Sequence, residues 1–320
     1  MNAGMEIAVM HHYRLGGWHL ASEVQWPNLL PWPVSDERRA DIVVRLGDVA
    51  PPTPPVRLER DRMTVGADHR IVFDVPALAR FGMSGGHEVV IEPVPGAPWP
   101  DIQTCLFTPV LGAICHQRGL VPLHGAGLRT RAGAIAIVGH AGAGKSTTIT
   151  ALAQRGHRIL GDDLLVVDPG TMRVQPSFPS VKLSSGSCAA LSVDHSGLEP
   201  TMRGQDKWHV PVRQAFDPDT THLTGVIHLQ HDPRAARPRL TRLAPLQATV
   251  VIYAMVHRAY LSGQPGGQER VLATAARLAR RLPAWQLSRT GDLADLPSLL
   301  GLIEDLVAAD GLAGDQSPGG

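Results

Sequence analysis

Gly139-His140-Ala141-Gly142-Ala143-Gly144-Lys145-Ser146-Thr147 decides how this chain is read. It is G-x-x-x-x-G-K-S, the spacing of the phosphate-cradling loop called Walker A. Before it, Ala134-Ile135-Ala136-Ile137-Val138 is an unbroken apolar run, as expected of a buried strand. After it, Thr148 to Arg155 reads as a helix. Strand, loop and helix in that order are the context the motif needs. The glycines let backbone N–H groups turn inward around phosphate oxygens, and the helix N-terminus adds positive potential. On this reading Gly139, His140, Ala141, Gly142, Ala143, Gly144, Lys145, Ser146 and Thr147 bind ATP. Lys145 reaches the β- and γ-phosphates, and the Ser146 hydroxyl holds Mg²⁺.

Composition narrows the class. At 320 residues the chain has room for two domains or one large one. It is 43% hydrophobic and 18% charged with a net charge of +1, so no basic excess points to nucleic acid. No apolar run approaches the length of a membrane span, and the N-terminus lacks the pattern of a secretory signal. Cys105, Cys115 and Cys188 are scattered, make no zinc spacing and suit a reducing compartment. A cytoplasmic protein is expected, with no membrane or nucleic-acid partner. Arginine supplies nearly all the cationic residues. The lysines are Lys145, Lys182 and Lys207 alone, so each invites a question.

Residues 1–118 read as a β-rich N-terminal domain without visible chemistry. Strands are expected around Tyr13–Ser22, Asp41–Leu46, Arg70–Val75 and His87–Glu92. The prolines from Pro51 to Pro55 exclude a ladder there. A helix is expected within 102–117, beginning near Thr108 so that Pro109 falls in its first turn. Residues 119–308 read as an α/β catalytic domain. It has a short strand containing His124, the loop strand and two short strands flanking Asp162-Asp163. Further strands are expected at 207–212, 222–230 and 285–287, and helices near 245–258, 267–281 and 296–308. Residues 309–320 read as a flexible tail.

Two features join the loop. Asp162 and Asp163 follow Lys145 at the junction of two strands. Near a triphosphate, one carboxylate suits a metal ion and the other the proton of an attacking hydroxyl. Adjacent residues on a strand point in opposite directions, so both act at one site only if the backbone turns there, which Gly161 permits. His124, on a strand expected beside the loop strand, has a side chain suited to proton transfer or phosphate contact near neutral pH. On spacing alone it reads almost equally well as a core histidine. His140 sits at a variable position of the motif and receives no role beyond proximity to phosphate.

Leu123-His124-Gly125, Gly139 to Thr147, and Arg155 to Asp163 together resemble the catalytic domain of HPr kinase/phosphorylase in order and spacing. The likeness covers about residues 119–168. The region before it resembles the leader domain of broader HPr-kinase-like proteins, some of which phosphorylate a serine at the end of a ribosomally made peptide. The resemblance implies a P-loop kinase fold akin to phosphoenolpyruvate carboxykinase, with ATP and Mg²⁺ as cofactors. It implies that Asp162 is the base toward a substrate serine and that Asp163 lies near the metal with Ser146. It also implies that His124 lies close to the transferred phosphate, with Lys145 on the nucleotide. The chain departs from the family in lacking its downstream Gly-Arg-Asn signature, since asparagine occurs only at Asn2 and Asn28. Phosphorolysis and HPr as substrate are therefore not expected.

These features lead to an ATP-dependent kinase acting on a hydroxyl, most naturally a serine of a peptide or small protein, in a chain compatible with a homo-oligomer. Two other readings stay open. One is a kinase of a small metabolite such as a free amino acid. The other is a nucleotide-binding regulatory module that transfers nothing.

Overall fold

The computed structural model describes residues 9–33, 38–262 and 267–313, the last four by backbone alone. It is a mixed α/β structure built on two large sheets.

The first is a nine-stranded sheet. Its order is Leu30–Pro31, His11–Leu15, Trp18–Ser22, Ile42–Leu46, Glu88–Pro93, Ala79–Ser84, Ile71–Val75, Met63–Val65, Leu58–Arg60. The expected strand over residues 13–22 is two strands, because Gly16 and Gly17 take positive φ and turn the chain into a hairpin. The strands Leu58–Arg60, Met63–Val65 and Ala79–Ser84 were not foreseen. The first two are too short to show a period. Both edges of the sheet are short. One carries Pro31 and the other Glu59 and Arg60, features that discourage edge-to-edge pairing.

Helix Trp99–Cys105 continues through a π-helical turn, Leu106–Val110, into helix Leu111–Gln117. The expected start at Thr108 is therefore incorrect. Pro100 occupies the first turn, and Pro109 lies inside the helix, where the wider π turn absorbs its missing N–H. Ile102, Leu106, Val110 and Ile114 pack with Phe81, Met83 and Ile91 of the sheet. The same core takes in Leu164, Val166 and Phe178 from beyond residue 118. The helix is thus shared structure rather than a linker.

The second sheet carries the loop. Ala134–Val138 pairs in parallel with Thr221–His231, which pairs in parallel with Ala284–Arg289. On its other side it pairs with Gly125–Arg129, which in turn pairs with Ile159–Gly161. The period-2 alternation explains the layers. Ile135 and Ile137 face one core, with Ile149, Leu152, Leu299 and Ile303 from helices Lys145–Gln154 and Leu296–Ala313. Ala134, Ala136 and Val138 face the other, with Ala248, Ile252, Val271 and Leu278 from helices Pro245–Ala254 and Gly267–Arg281. Both faces are covered, which is why the run before the loop is apolar throughout.

The strand expected to contain His124 is broken at that residue. Val121–Leu123 pairs with Leu165–Asp168, whereas Gly125–Arg129 joins the loop strand. His124 stands at the break, its N–H on the Met255 carbonyl at 2.7 Å. Helix Leu296–Ala313 runs on past the boundary expected at residue 308, and residues 314–320 lie outside the described residues.

Candidate active site

The loop strand ends at Val138 and the chain turns through Gly139, where a Cβ would lie 2.4 Å from the Leu229 carbonyl oxygen. Gly144 precedes helix Lys145–Gln154 at φ +99°. Lys145 follows it and is only 6% exposed. Its Nζ donates to the Gly139 carbonyl at 2.7 Å and to the His140 carbonyl at 3.1 Å. Its ammonium is therefore folded back across its own loop. Burial lowers its pKa, and the nearby Asp162 and Asp163 act against that shift.

His124 touches both halves of the site. Lys145 Nζ donates to His124 Nε2 at 3.1 Å, which leaves the ring proton on Nδ1. From there the ring donates to the Asp163 carbonyl at 3.1 Å, with the Asp163 carboxylate 3.5 Å from the same nitrogen. Burial and the Lys145 charge lower the pKa of His124, so it is neutral at pH 7.

The backbone turn allowed by Gly161 is real. Gly161 has φ +134°, and a Cβ there would lie 1.9 Å from Ser177 Oγ. Asp163 itself is left-handed at φ +69°, an uncommon conformation for a residue with a side chain. The two carboxylates consequently occupy different surroundings.

Asp162 is 1% exposed. One of its oxygens accepts the Lys182 backbone N–H at 3.1 Å. The other is buried with no hydrogen-bond partner among the described residues. Burial, then the neighbouring Asp163 charge, raises its pKa, while the nearby Ser146 side chain works the other way. Asp163 instead lines the cleft. Its carboxylate accepts from Lys182 Nζ at 2.6 Å and from Thr108 Oγ1 at 2.8 Å. Although burial opposes ionisation, the Lys182 charge, with the hydrogen bonds from Lys182 and Thr108, holds this carboxyl well below the usual range.

The orphaned Asp162 oxygen beside the Ser146 hydroxyl is a hard-oxygen pair of the kind Mg²⁺ takes. No group of three His, Cys, Asp or Glu side chains able to hold a metal occurs among the described residues. The pair therefore fits a metal that brings its other oxygens from nucleotide phosphates and water.

Several lining residues were missed or undervalued in the sequence. Thr108 reaches Asp163 from the π turn, a geometry only the folded helix reveals. Lys182 and Lys207 both line the same cleft as Lys145, so every lysine of the chain converges on one site. Their scarcity was the one signal available. Arg289, ending strand Ala284–Arg289, grips the loop and lines the cleft. Its Nε donates to the Ala143 carbonyl at 2.6 Å and another guanidinium nitrogen to the Gly142 carbonyl at 3.0 Å. It lay among many arginines with nothing in the sequence to mark it. The cleft they enclose measures about 480 Å³. Of the expected nucleotide-binding residues, Ala141, Gly142, Gly144, Lys145, Ser146 and Thr147 line it.

No family model matches the chain, and no curated protein matches it. Among solved structures it is similar to the one titled "Structure of the Hpr(Ser) kinase/phosphatase from Coxiella burnetii". The TM-score is 0.31 at 15% identity, covering 61% of this chain and 98% of that one. A superposition that loose assigns no activity to this chain. No described helix is long and apolar enough to cross a membrane.

Proposed function

We propose that this protein is an ATP- and Mg²⁺-dependent kinase that transfers the γ-phosphoryl group to a hydroxyl, a serine of a peptide or small protein. One observation carries the reading. A hydrogen-bonded chain runs from Lys145 through His124 to Asp163 and on to Lys182, all four lining the cleft beside the glycine loop. A loop that only held nucleotide as a switch would have no use for an acidic residue, an imidazole and a second lysine joined at its mouth. The serine acceptor rests on the resemblance of the three sequence motifs.

The loop N–H groups and Lys145 bind and neutralise the phosphates. Ser146 and Asp162 would hold Mg²⁺, which would supply charge neutralisation at the phosphate oxygens. The geometry favours exchanging the roles expected of the two aspartates. Asp162, nearly fully buried behind Ser146, suits the metal. Asp163, at the cleft surface, suits the acceptor hydroxyl. Its low pKa makes it a weak base, but phosphoryl transfer through a loose transition state asks chiefly for orientation of the nucleophile. Asp163 accepts the hydroxyl hydrogen bond and takes the proton as the new P–O bond forms and the bond from the γ-phosphorus to the β,γ-bridging oxygen breaks, releasing ADP. Neutral His124, already a hydrogen-bond partner of Lys145, sits where the moving phosphoryl group passes.

The test is transfer of label from γ-labelled ATP with Mg²⁺ to serine-containing peptides, with free serine as a parallel acceptor. Peptide labelling that vanishes in Lys145→Ala is expected. Labelling of free serine alone moves the acceptor to a metabolite. Tight ATP binding without transfer to either, and without hydrolysis, returns the protein to a nucleotide-binding module.

A further inference from the structure

The cleft has two chemically distinct ends, and the proposed chemistry occupies only one. His124, Lys145, Asp163 and Lys182 form the charged end. At the other, the wall is Pro238, Leu293, Leu296 and Leu299, with Asp292 and Asp295 among them. This segment is tied to the loop. Arg289 holds the Gly142 and Ala143 carbonyls and donates to the Thr290 carbonyl at 2.8 Å. Thr290 Oγ1 donates to Asp295 at 2.5 Å, and Asp292 accepts the Ala294 N–H at 2.8 Å. Residues 289–295 are thereby fixed against the loop, and helix Leu296–Ala313 continues from them along helix Lys145–Gln154.

Most apolar side chains here face inward, as Leu299 does at 2% exposure. Leu293 does the opposite: it is 47% exposed on the cleft wall. A triphosphate whose γ end lies between Lys145 and His124 runs along the loop toward Thr147 and Thr148, which line the same cavity. Beyond them a nucleoside meets this leucine and proline wall. The total volume of about 480 Å³ lies in the range that encloses a ligand of nucleotide size.

We propose that Pro238, Leu293, Leu296 and Leu299 form the nucleobase subsite, the base lying on the leucines with its N–H donors toward Asp292 and Asp295. This rests on the kinase reading for the position of the phosphates. Each carboxylate spends one oxygen inside the segment, and a carboxylate offers acceptors only. The occupant must then present donors along its edge, as the amino-bearing purines do.

Binding of MgATP, MgGTP and magnesium inorganic triphosphate, measured by calorimetry on the full chain and on Leu293→Ser and Leu293→Phe, decides the matter. Leu293 is half exposed, so neither substitution threatens the fold. Wild type should bind at least one purine nucleotide about tenfold or more tighter than inorganic triphosphate. Leu293→Ser should remove most of that advantage and leave inorganic triphosphate unchanged, and Leu293→Phe should restore it. Equal affinity of wild type and Leu293→Ser for every nucleotide, with inorganic triphosphate still bound, overturns the base subsite alone. Failure of wild type to bind any of the three overturns the phosphate site and the base subsite with it.

Discussion

The two sheets of this protein use their strands in different ways. In the N-terminal sheet, strands such as Ile71–Val75 and Ala79–Ser84 run to turns and pair along their length, burying Ile71, Phe73, Phe81 and Met83. In the second sheet the informative places are the interruptions. The loop strand stops at Val138, the strand expected through His124 breaks there, and Ile159–Gly161 stops just before the aspartates. All three breaks open onto one cleft. A strand end frees backbone and side chains from the ladder while the sheet still fixes their positions, and that is what a reactive constellation requires.

If this contrast is right, damage at a break should cost more in rate than in stability, and damage within the first sheet should do the reverse. The largest effect is expected for Asp163→Asn. Loss of a group that orients and deprotonates the acceptor costs about 10²- to 10⁴-fold in kcat/KM. The variant should bind MgATP nearly as well as wild type, since Lys145 and the loop are untouched. Asp162→Asn should instead raise the Mg²⁺ concentration needed for half-maximal rate. Steady-state rates against Mg²⁺ for both variants separate the roles. A magnesium requirement shifted by Asp163→Asn and not by Asp162→Asn would restore the assignment the sequence motif implied.

Phe81→Ala tests the other side. Phe81 is fully buried, with its ring 5.8 Å from that of Phe73. Truncating a buried phenylalanine costs about 3–5 kcal/mol. Denaturant unfolding should show that loss, and kcat of the folded fraction at low temperature should stay within about threefold of wild type, a change below 1 kcal/mol. A much larger fall in kcat would mean that the shared helix Trp99–Gln117 transmits the first sheet's packing to Thr108 and so to Asp163.

The legibility of these regions follows from the range of the interactions behind them. The loop, its strand and its helix are local patterns, and Gly139 to Thr147 announced them fully. The turn after Gly161 was also readable, because glycine before two aspartates signals a reversal. The π turn was not, since it answers to Pro109 packed inside a helix that the sequence placed elsewhere. Thr108, Lys182 and Arg289 come to the site from 55, 19 and 146 residues away from the groups they bond. No spacing rule reaches across such separations. The roles of Asp162 and Asp163 depend on which side of a left-handed backbone turn each falls, and a two-residue motif carries no information about that.

The smallest effect predicted for a single substitution concerns pH and His209. His209 is buried between Thr104 Oγ1 at 2.9 Å and Ser180 Oγ at 3.3 Å, and burial with the Lys182 charge lowers its pKa to about 4. His257 is lowered to about 3 by burial and Arg258. Burial shifts His116, His124 and His228 in the same direction. Each takes up a proton in the unfolded chain near pH 6.5 and resists it in the folded one. Stability is therefore full above pH 6.5 and falls as the pH drops, by about 1.4 kcal/mol per pH unit for His209 and for His257 until the folded pKa of each is reached, with His116, His124 and His228 acting in the same direction. Asp162, whose raised pKa acts in the opposite sense, is one group against five. Urea midpoints between pH 7 and pH 5 should decline steadily, and His209→Gln should make the decline shallower by about one proton's worth. A flat profile over that interval would mean that these imidazoles reach water, and that the second sheet's breaks are looser than its core.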